Sequence, residues 1–593
     1  MIKKKKISII SCFLMCLFIF LIYVVLGTLT YESDDDEVMN LIAAGAFGSK
    51  NRTYLVFSNV IYGKLISFLY GVFPKLNMYL FLMLFLNFAA VYTLSYMAVS
   101  RVTLRLENSD KALKNIDYAL ISAGISFAVS SFLATEYYCS LQFSKNAGLY
   151  TAVGFAVLYA WYKEKKTFKN PVWILGVLFL WLGFAVRDYA FLSSALECMT
   201  ILFGLFLLNI KSHIISFKEK KMGIFKENYR LIIMIVVSVL GIGMLKVVND
   251  KAYSKTEWKD FLEFNRYRAE LTDYSMPDFY ANYEALEEID FDLVDYYLFN
   301  SWAFADNDKF NTDTLKKLVE IRGNDSKKLT LNIKKILISI TEFDSKSTGR
   351  FICIFWIFIL LFLCFAAEGK NILLFGISTA GILAEYWYLS CVGRVIWRAE
   401  MMVWIAAIVV FLTVFSYESD YRLRFMDGSD KFRRFCVALA LFCMMFVKLG
   451  RGVYNFAAVK GRHFYVQSTV KYDMYTGLDK DNLYIFTLNV TGPTVVDDIA
   501  KINCDYDDYF YNVSFCGGWT VSSPLQKNVL EKYGVDNNVF TSLVTNDKVY
   551  LVDNSNTYQL IEKYLDKKFN NKVTVKKVGT VNGNDIYDFE LME

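Results

Sequence analysis

The sequence predicts a polytopic α-helical membrane protein, with about eleven transmembrane helices and two sizeable domains outside the bilayer. Three observations carry that prediction. Hydrophobic residues make up 55% of the 593 positions and aromatic ones 17%, against roughly 45–50% apolar in soluble chains. The excess is gathered into nearly uncharged blocks of about 17–25 residues, long enough to cross a hydrocarbon core of roughly 30 Å. Charged stretches separate the blocks and keep the charged fraction at 21%. The net charge of +5 is small for this length and points to no nucleic acid partner.

Taken in order, Met1 to Lys6 supply four lysines before an apolar run from Ile7 to about Thr28. That run exceeds the roughly 7–15 residues of a signal-peptide core, and no small-x-small cleavage site follows. It reads as a retained first helix with a cytoplasmic N-terminus. Further spans are expected at about 77–99, 117–135, 144–162, 172–187, 190–209, 230–248, 350–367, 371–389, 399–416 and 435–450. The resulting inside loops, Arg101 to Lys114, Lys163 to Lys169, Lys211 to Arg230, Glu368 to Asn371 and Arg422 to Arg434, are mostly rich in Lys and Arg. Segment 56–73 carries Lys64, Ser58, Asn59 and Tyr62; counting it as a span would invert every later loop, so it reads as an amphipathic surface helix.

Four units follow: an N-terminal membrane module at 1–248 with a first outer loop and surface helices at about 30–76, a mostly helical extracytoplasmic insert at 249–349, membrane helices at 350–450, and an extracytoplasmic α/β domain at 451–593. In the insert, Trp258, Phe261, Phe264, Tyr267 and Leu271 recur at helical spacing. In the last unit, β-rich runs at Tyr484–Val490 and Val549–Asp553 precede a helix near Thr557–Phe569 and a hairpin signalled by Asn582-Gly583. Cys504 and Cys516 fit either a disulfide or two free thiols, while most of the other cysteines lie in apolar blocks. His213 and His463 are far apart, which argues against histidine-based metal or triad chemistry. Gly241 and Gly243 form no nucleotide loop, and Asn489-Val490-Thr491 is a sequon by composition only. A Lys-, Tyr- and Asn-rich chain with five prolines fits an AT-rich bacterial genome and a bacterial plasma-membrane location.

The most unusual local feature is Glu32-Ser33-Asp34-Asp35-Asp36-Glu37, five carboxylates in six positions directly after the first helix. A solvated acidic turn is the plain alternative. A first helix, an acidic pair at its outer end, and two surface helices before the second span resemble the GT-C superfamily of membrane glycosyltransferases, which includes protein O-mannosyltransferase-like and bacterial glucosyltransferase-like families. The resemblance covers about positions 1–450. It implies a GT-C-like fold and transfer of a sugar from a polyprenyl-phosphate-linked donor to a cell-envelope glycan, lipid or protein acceptor at the outer face. It also implies that a first-loop carboxylate is the general base, with a divalent cation such as Mg or Mn in those members that need one. Matched by position, Asp35 or Asp36 is the base, with Asp34 behind. The placement makes chemical sense, because a hydroxyl acceptor needs a nearby base and clustered carboxylates favour proton uptake by one of them.

A donor phosphate needs cations. Arg394 and Arg398, four apart in CVGRVIWRAE, Arg187 at the outer end of 172–187, and Lys145 at the start of 144–162 are the donor-phosphate candidates. Snorkelling anchors at helix ends are the alternative for the arginines. Trp258, Asn265, Arg268 and Asp273 are candidates for the acceptor, against the simpler role of core and caps in a small helical domain. Two other functions compete: a transporter or flippase of lipid-linked precursors, and a non-catalytic envelope assembly protein. The middles of the spans are nearly all apolar and show no repeat, which disfavours the transporter.

Overall fold

The computed structural model describes residues 2–27, 29–48, 50–107, 114–164, 167–210, 223–323, 333–365, 369–419, 477–488 and 509–592. Within these, α1 (Ile2–Leu26), α4 (Met78–Glu107), α5 (Asn115–Ala134), α6 (Phe143–Lys163), α7 (Val172–Val186), α8 (Asp188–Leu208), α9 (Gly223–Tyr253), α15 (Ser347–Phe365), α16 (Gly369–Cys391) and α17 (Trp397–Glu418) form at ten of the eleven expected span positions. The eleventh, at 435–450, lies outside the described residues, as do Cys504, the sequon at 489–491, both histidines and the basic loop 422–434. Seven of the described helices are long and apolar enough to cross a membrane. An eighth counts if the bent pair Ile333–Phe343 and Thr348–Cys364 is one span. The chain is a helical, membrane-embedded protein. α7, at 15 residues, is shorter than the roughly 20 needed to span without help.

Segment 60–72 is a helix, α3 (Val60–Val72), whose Asn59 side chain accepts from the Ile61 N–H. Before it comes α2 (Asp34–Ala44), ended by Gly45 at φ 101°. That left-handed angle is one glycine adopts without strain. Arg52 donates to the Ala43 and Ala44 carbonyls at 3.2 and 3.1 Å, placing a cation on the negative end of α2.

The insert is helical: α10 (Thr256–Tyr274), α11 (Tyr283–Glu287), α12 (Leu293–Asn300), α13 (Thr312–Arg322) and α14 (Ile333–Ser345). The C-terminal unit holds β3 (Leu483–Phe486), β4 (Val513–Phe515), α18 (Pro524–Leu530), α19 (Val539–Thr545), β5 (Val549–Asp553), α20 (Thr557–Phe569), β6 (Val573–Val581) and β7 (Asn584–Leu591). Its sheet has the order β4-β3-β5-β7-β6, with β3 parallel to both β4 and β5 and the last two pairings antiparallel. Asn582 and Gly583, at φ 49° and 86°, make the β6–β7 turn that the sequence signals. Cys516 is a free buried thiol.

The insert is joined to the C-terminal unit, which in turn meets the loop between α2 and α3. Phe304 N–H donates to the Cys516 carbonyl at 2.8 Å and Val539 N–H to the Ala305 carbonyl at 3.1 Å. Phe510 N–H donates to the Ala46 carbonyl at 2.8 Å, and the Phe47 and Phe510 rings meet at 4.9 Å. Trp519 packs on Phe57 at 4.7 Å. The C-terminal unit therefore rests directly on the loop between α2 and α3.

Candidate acidic and arginine site

The acidic run is positioned by a two-rung parallel bridge. β1 (Thr30–Tyr31) pairs with β2 (Ser140–Leu141), and the Glu32 N–H donates to the Leu141 carbonyl at 2.8 Å. β2 follows a π-helical turn, Thr135–Cys139, and precedes Gln142, whose side chain caps α6. Such π turns insert one extra residue and re-aim the side chains around them. Asp34, Asp35, Asp36 and Glu37 then form the first turn of α2, where the helix dipole favours negative charge.

The four carboxylates have different surroundings. Asp36 is fully buried; its Oδ1 accepts from the Tyr79 hydroxyl at 2.8 Å and the Phe143 N–H at 3.1 Å. Burial pushes its carboxyl well above the ordinary value, against the opposing pull of the Tyr79 bond. Asp36 is thus an anchor joining α2 to α4 and α6, with no surface for an incoming hydroxyl. Burial raises Glu37 to about 7, with the Asn40 bond pulling the other way. Asp34 is exposed, and partial burial and Asp35 raise it.

Asp35 is half-buried and lies in the fields of Arg398, Arg187 and Arg268. Burial is the largest influence and raises its carboxyl; the three guanidiniums oppose that, and Asp273 adds to it. Among the described residues Asp35, Arg187 and Arg398 make no ion pair within 4 Å. Arg187 donates to the Phe57 carbonyl at 3.1 Å and lies over the rings of Phe57, Phe143 and Tyr189 at 5.1, 5.5 and 5.4 Å. Arg398, half-buried at the start of α17, makes no hydrogen bond among the described residues. Arg394 pairs with Asp273 at 2.7 Å and lies over the Tyr274 ring. Arg268 is buried, holds Asn265 Oδ1 and Thr272 Oγ1, and is pushed down to about 10 by burial, while Asp273 and Asp35 oppose the shift.

One end of the helix bundle therefore gathers four arginines, Arg187, Arg268, Arg394 and Arg398, around Asp35, Asp188 and Asp273. With Asp34, whose carboxyl lies in the field of Asp35, the carboxylates number four, as the guanidiniums do. The set brings residues from α2, the α7–α8 junction, α10 and α17 into one electrostatic neighbourhood, in which Arg398 has no hydrogen bond among the described residues and keeps its guanidinium open to an anion such as a phosphate.

Two candidates lie elsewhere. Lys145 is fully buried, and its Nζ is held by Glu32 at 2.6 Å and Glu136 at 2.7 Å. Glu136 also accepts from Trp397 Nε1 at 3.3 Å. The Lys145 charge is spent on two glutamates, which removes it from the donor-phosphate candidates. Trp258 is 2% exposed, stacked on Tyr54 at 4.5 Å and edge-on to Tyr253 and Phe261. Its indole is packing core and lines no acceptor groove.

Sequence reasoning missed Glu136 and two further glutamates, Glu197 in α8 and Glu385 in α16, both buried. The spans are thus less uniformly apolar than their hydropathy indicates. The signal was a serine four residues before Glu197 in an otherwise apolar run, Ser193 in FLSSALEC. Among the described residues no three His, Cys, Asp or Glu side chains are placed to hold a metal ion. Asp35 lies in the fields of three arginines and of Asp273, and the charge that reaches Asp34 is that of Asp35. The described residues thus offer no donor set that fits the divalent cation the resemblance allows.

No protein-family model, no curated protein and no solved structure matches this chain.

Proposed function

We propose that this protein is a GT-C-type glycosyltransferase of about eleven spans, with a cytoplasmic N-terminus and the insert and C-terminal α/β domain outside a bacterial plasma membrane. It moves a sugar from a polyprenyl-phosphate-linked donor to a cell-envelope glycan, lipid or protein hydroxyl. The observation that supports this most is Asp35: a half-buried carboxylate at the start of α2, without an ion pair among the described residues and in the fields of Arg187, Arg268 and Arg398.

Asp35 takes the proton of the acceptor hydroxyl as its oxygen bonds to the sugar's anomeric carbon. The bond from that carbon to the donor phosphate oxygen breaks, and the departing negative charge settles on Arg398 and Arg187. Burial lifts Asp35 toward a useful basicity, and the arginines keep it ionised. Arg268 and Arg394, already held by Asn265 and Asp273, orient the acceptor side.

The test is Asp35→Asn. Sugar transfer in membranes supplied with a labelled polyprenyl-phosphate sugar should fall about 10²–10⁴-fold, with the unfolding midpoint unchanged. Wild-type glycan output from Asp35→Asn cells would sink the catalytic reading. A transporter of lipid-linked precursors is the second reading, favoured by the carboxylates Glu197 and Glu385 inside two spans. Under it, reconstituted vesicles move the labelled lipid-linked sugar without consuming it.

A further inference from the structure

Glu197 and Glu385 stand on facing helices, α8 and α16, both long and apolar enough to cross the membrane. They are 0% and 7% exposed. Counting from Asp188 and from Cys391, the helix ends nearest the arginine site, they lie about 14 and 9 Å along the axes at 1.5 Å per residue. Each is tied to the other's helix. Glu197 Oε1 accepts from Ser378 Oγ at 2.8 Å, and Glu385 Oε2 accepts from Ser193 Oγ at 2.5 Å.

The remaining oxygen of each carboxyl, Glu197 Oε2 and Glu385 Oε1, is buried with no hydrogen-bond partner. Gly381 gives Glu197 its place: a Cβ there would lie 2.4 Å from Oε2, so a larger residue would push the carboxyl away. Among the described residues no lysine, arginine or histidine pairs with either group, and the charge whose field reaches Glu197 is that of Glu385. The thiol of Cys198 is buried beside both. From α17 comes Glu400, occupied by the Tyr386 hydroxyl at 3.1 Å. Among the described residues, no positive charge on the helices packed against the pair forms an ion pair with it.

Bare carboxylates are costly in such surroundings, and two of them also repel. Helix-to-helix serine bonds answer half of their oxygens and leave the other half open. We infer that Glu197 and Glu385, with Ser193 and Ser378, form a binding site for a monovalent cation, a proton or Na⁺, between α8 and α16. The cation lowers the charge of the pair from two negatives to one and gives the open oxygens a partner. The inference holds whether the outer site transfers sugar or passes a lipid-linked precursor.

Dicyclohexylcarbodiimide, an apolar reagent that attacks protonated carboxyls, tests it on the full-length protein in detergent, with modified peptides located by mass. In choline chloride, Glu197 or Glu385 should be modified at a rate that falls about tenfold per pH unit on the alkaline side. Glu197→Gln and Glu385→Gln keep the serine bonds and should lose the label only at their own position. Substituting NaCl for choline at fixed pH separates the sources: protection identifies Na⁺, and an unchanged rate with the pH dependence intact identifies the proton. The wild-type profile decides the matter even if a glutamine variant fails to fold. No label on either residue from about pH 5 to 9, or a label indifferent to both pH and Na⁺, would overturn the inference and leave the pair as a fixed helix contact.

Discussion

Replacing Asp36 by alanine separates anchoring from chemistry in the acidic run. Two buried donors, the Tyr79 hydroxyl at 2.8 Å and the Phe143 N–H at 3.1 Å, would lose their acceptor. Each orphaned donor costs about 1–3 kcal/mol, for a gross loss of about 2–6 kcal/mol. Alanine also removes a carboxyl that is costly to bury when ionised, so the net loss should fall in the lower half of that range, about 2–4 kcal/mol. Asparagine keeps an oxygen at the same place and should stay within about 1 kcal/mol of wild type. The assay is unfolding of the purified protein in detergent, followed by tryptophan fluorescence. pH gives a second readout. The folded-state value of Asp36 is raised, so the folded chain holds this proton where the unfolded chain has released it. Its stabilising contribution is complete below the ordinary value near 3.8 and is lost as pH rises toward the folded one. Asp36→Asn should therefore lose less stability than wild type as pH rises above the ordinary value near 3.8. Equal midpoints for the alanine and asparagine variants, with equal pH slopes, would refute the anchoring argument.

Lys145→Met leaves Glu32 and Glu136 buried without their cation and should cost about 3–5 kcal/mol in the same unfolding assay, with partial recovery on adding Glu32→Gln and Glu136→Gln. Arg398→Ala should raise the KM for the lipid-linked donor about 10–100-fold, the size of one charged hydrogen bond, and Arg398→Lys should recover only part of it. Glu37, raised to about 7 by burial, contributes stability that is full below its ordinary value of 4.5 and lost through 7. Glu37→Gln should flatten that part of the stability profile, which an unfolding series across the window checks.

Helix positions were legible because a span announces itself by a run of apolar residues, independent of its neighbours. The hairpin at Asn582-Gly583 was legible for a similar reason, since two consecutive positive φ angles demand those residues locally. The roles of Asp34, Asp35 and Asp36 were not. Successive residues on a helix point about 100° apart, and only Tyr79 and Phe143, 43 and 107 positions away, decide which aspartate is buried. Lys145 went astray because its partner Glu136 is brought to it by a π-helical turn, which no periodicity signals. Trp258 fits a core helix and a sugar platform equally well by spacing; its burial against Tyr54 is a property of the whole fold. Glu197 and Glu385 each sit alone in an apolar run, so hydropathy averages them away.

The contact of Trp519 with Phe57 has a consequence for the making of the protein. Phe57 is also the ring beneath Arg187, so the last quarter of the chain closes one wall around a cation held by the first third. Ribosomes deliver those residues last. Until Phe510 has hydrogen-bonded to Ala46 and Trp519 has reached Phe57, a half-made chain in the membrane holds its arginines without their final backing. Completion of the polypeptide is then what finishes the wall behind Arg187, and a chain cut short before residue 509 would lack both Phe510 and Trp519 from it.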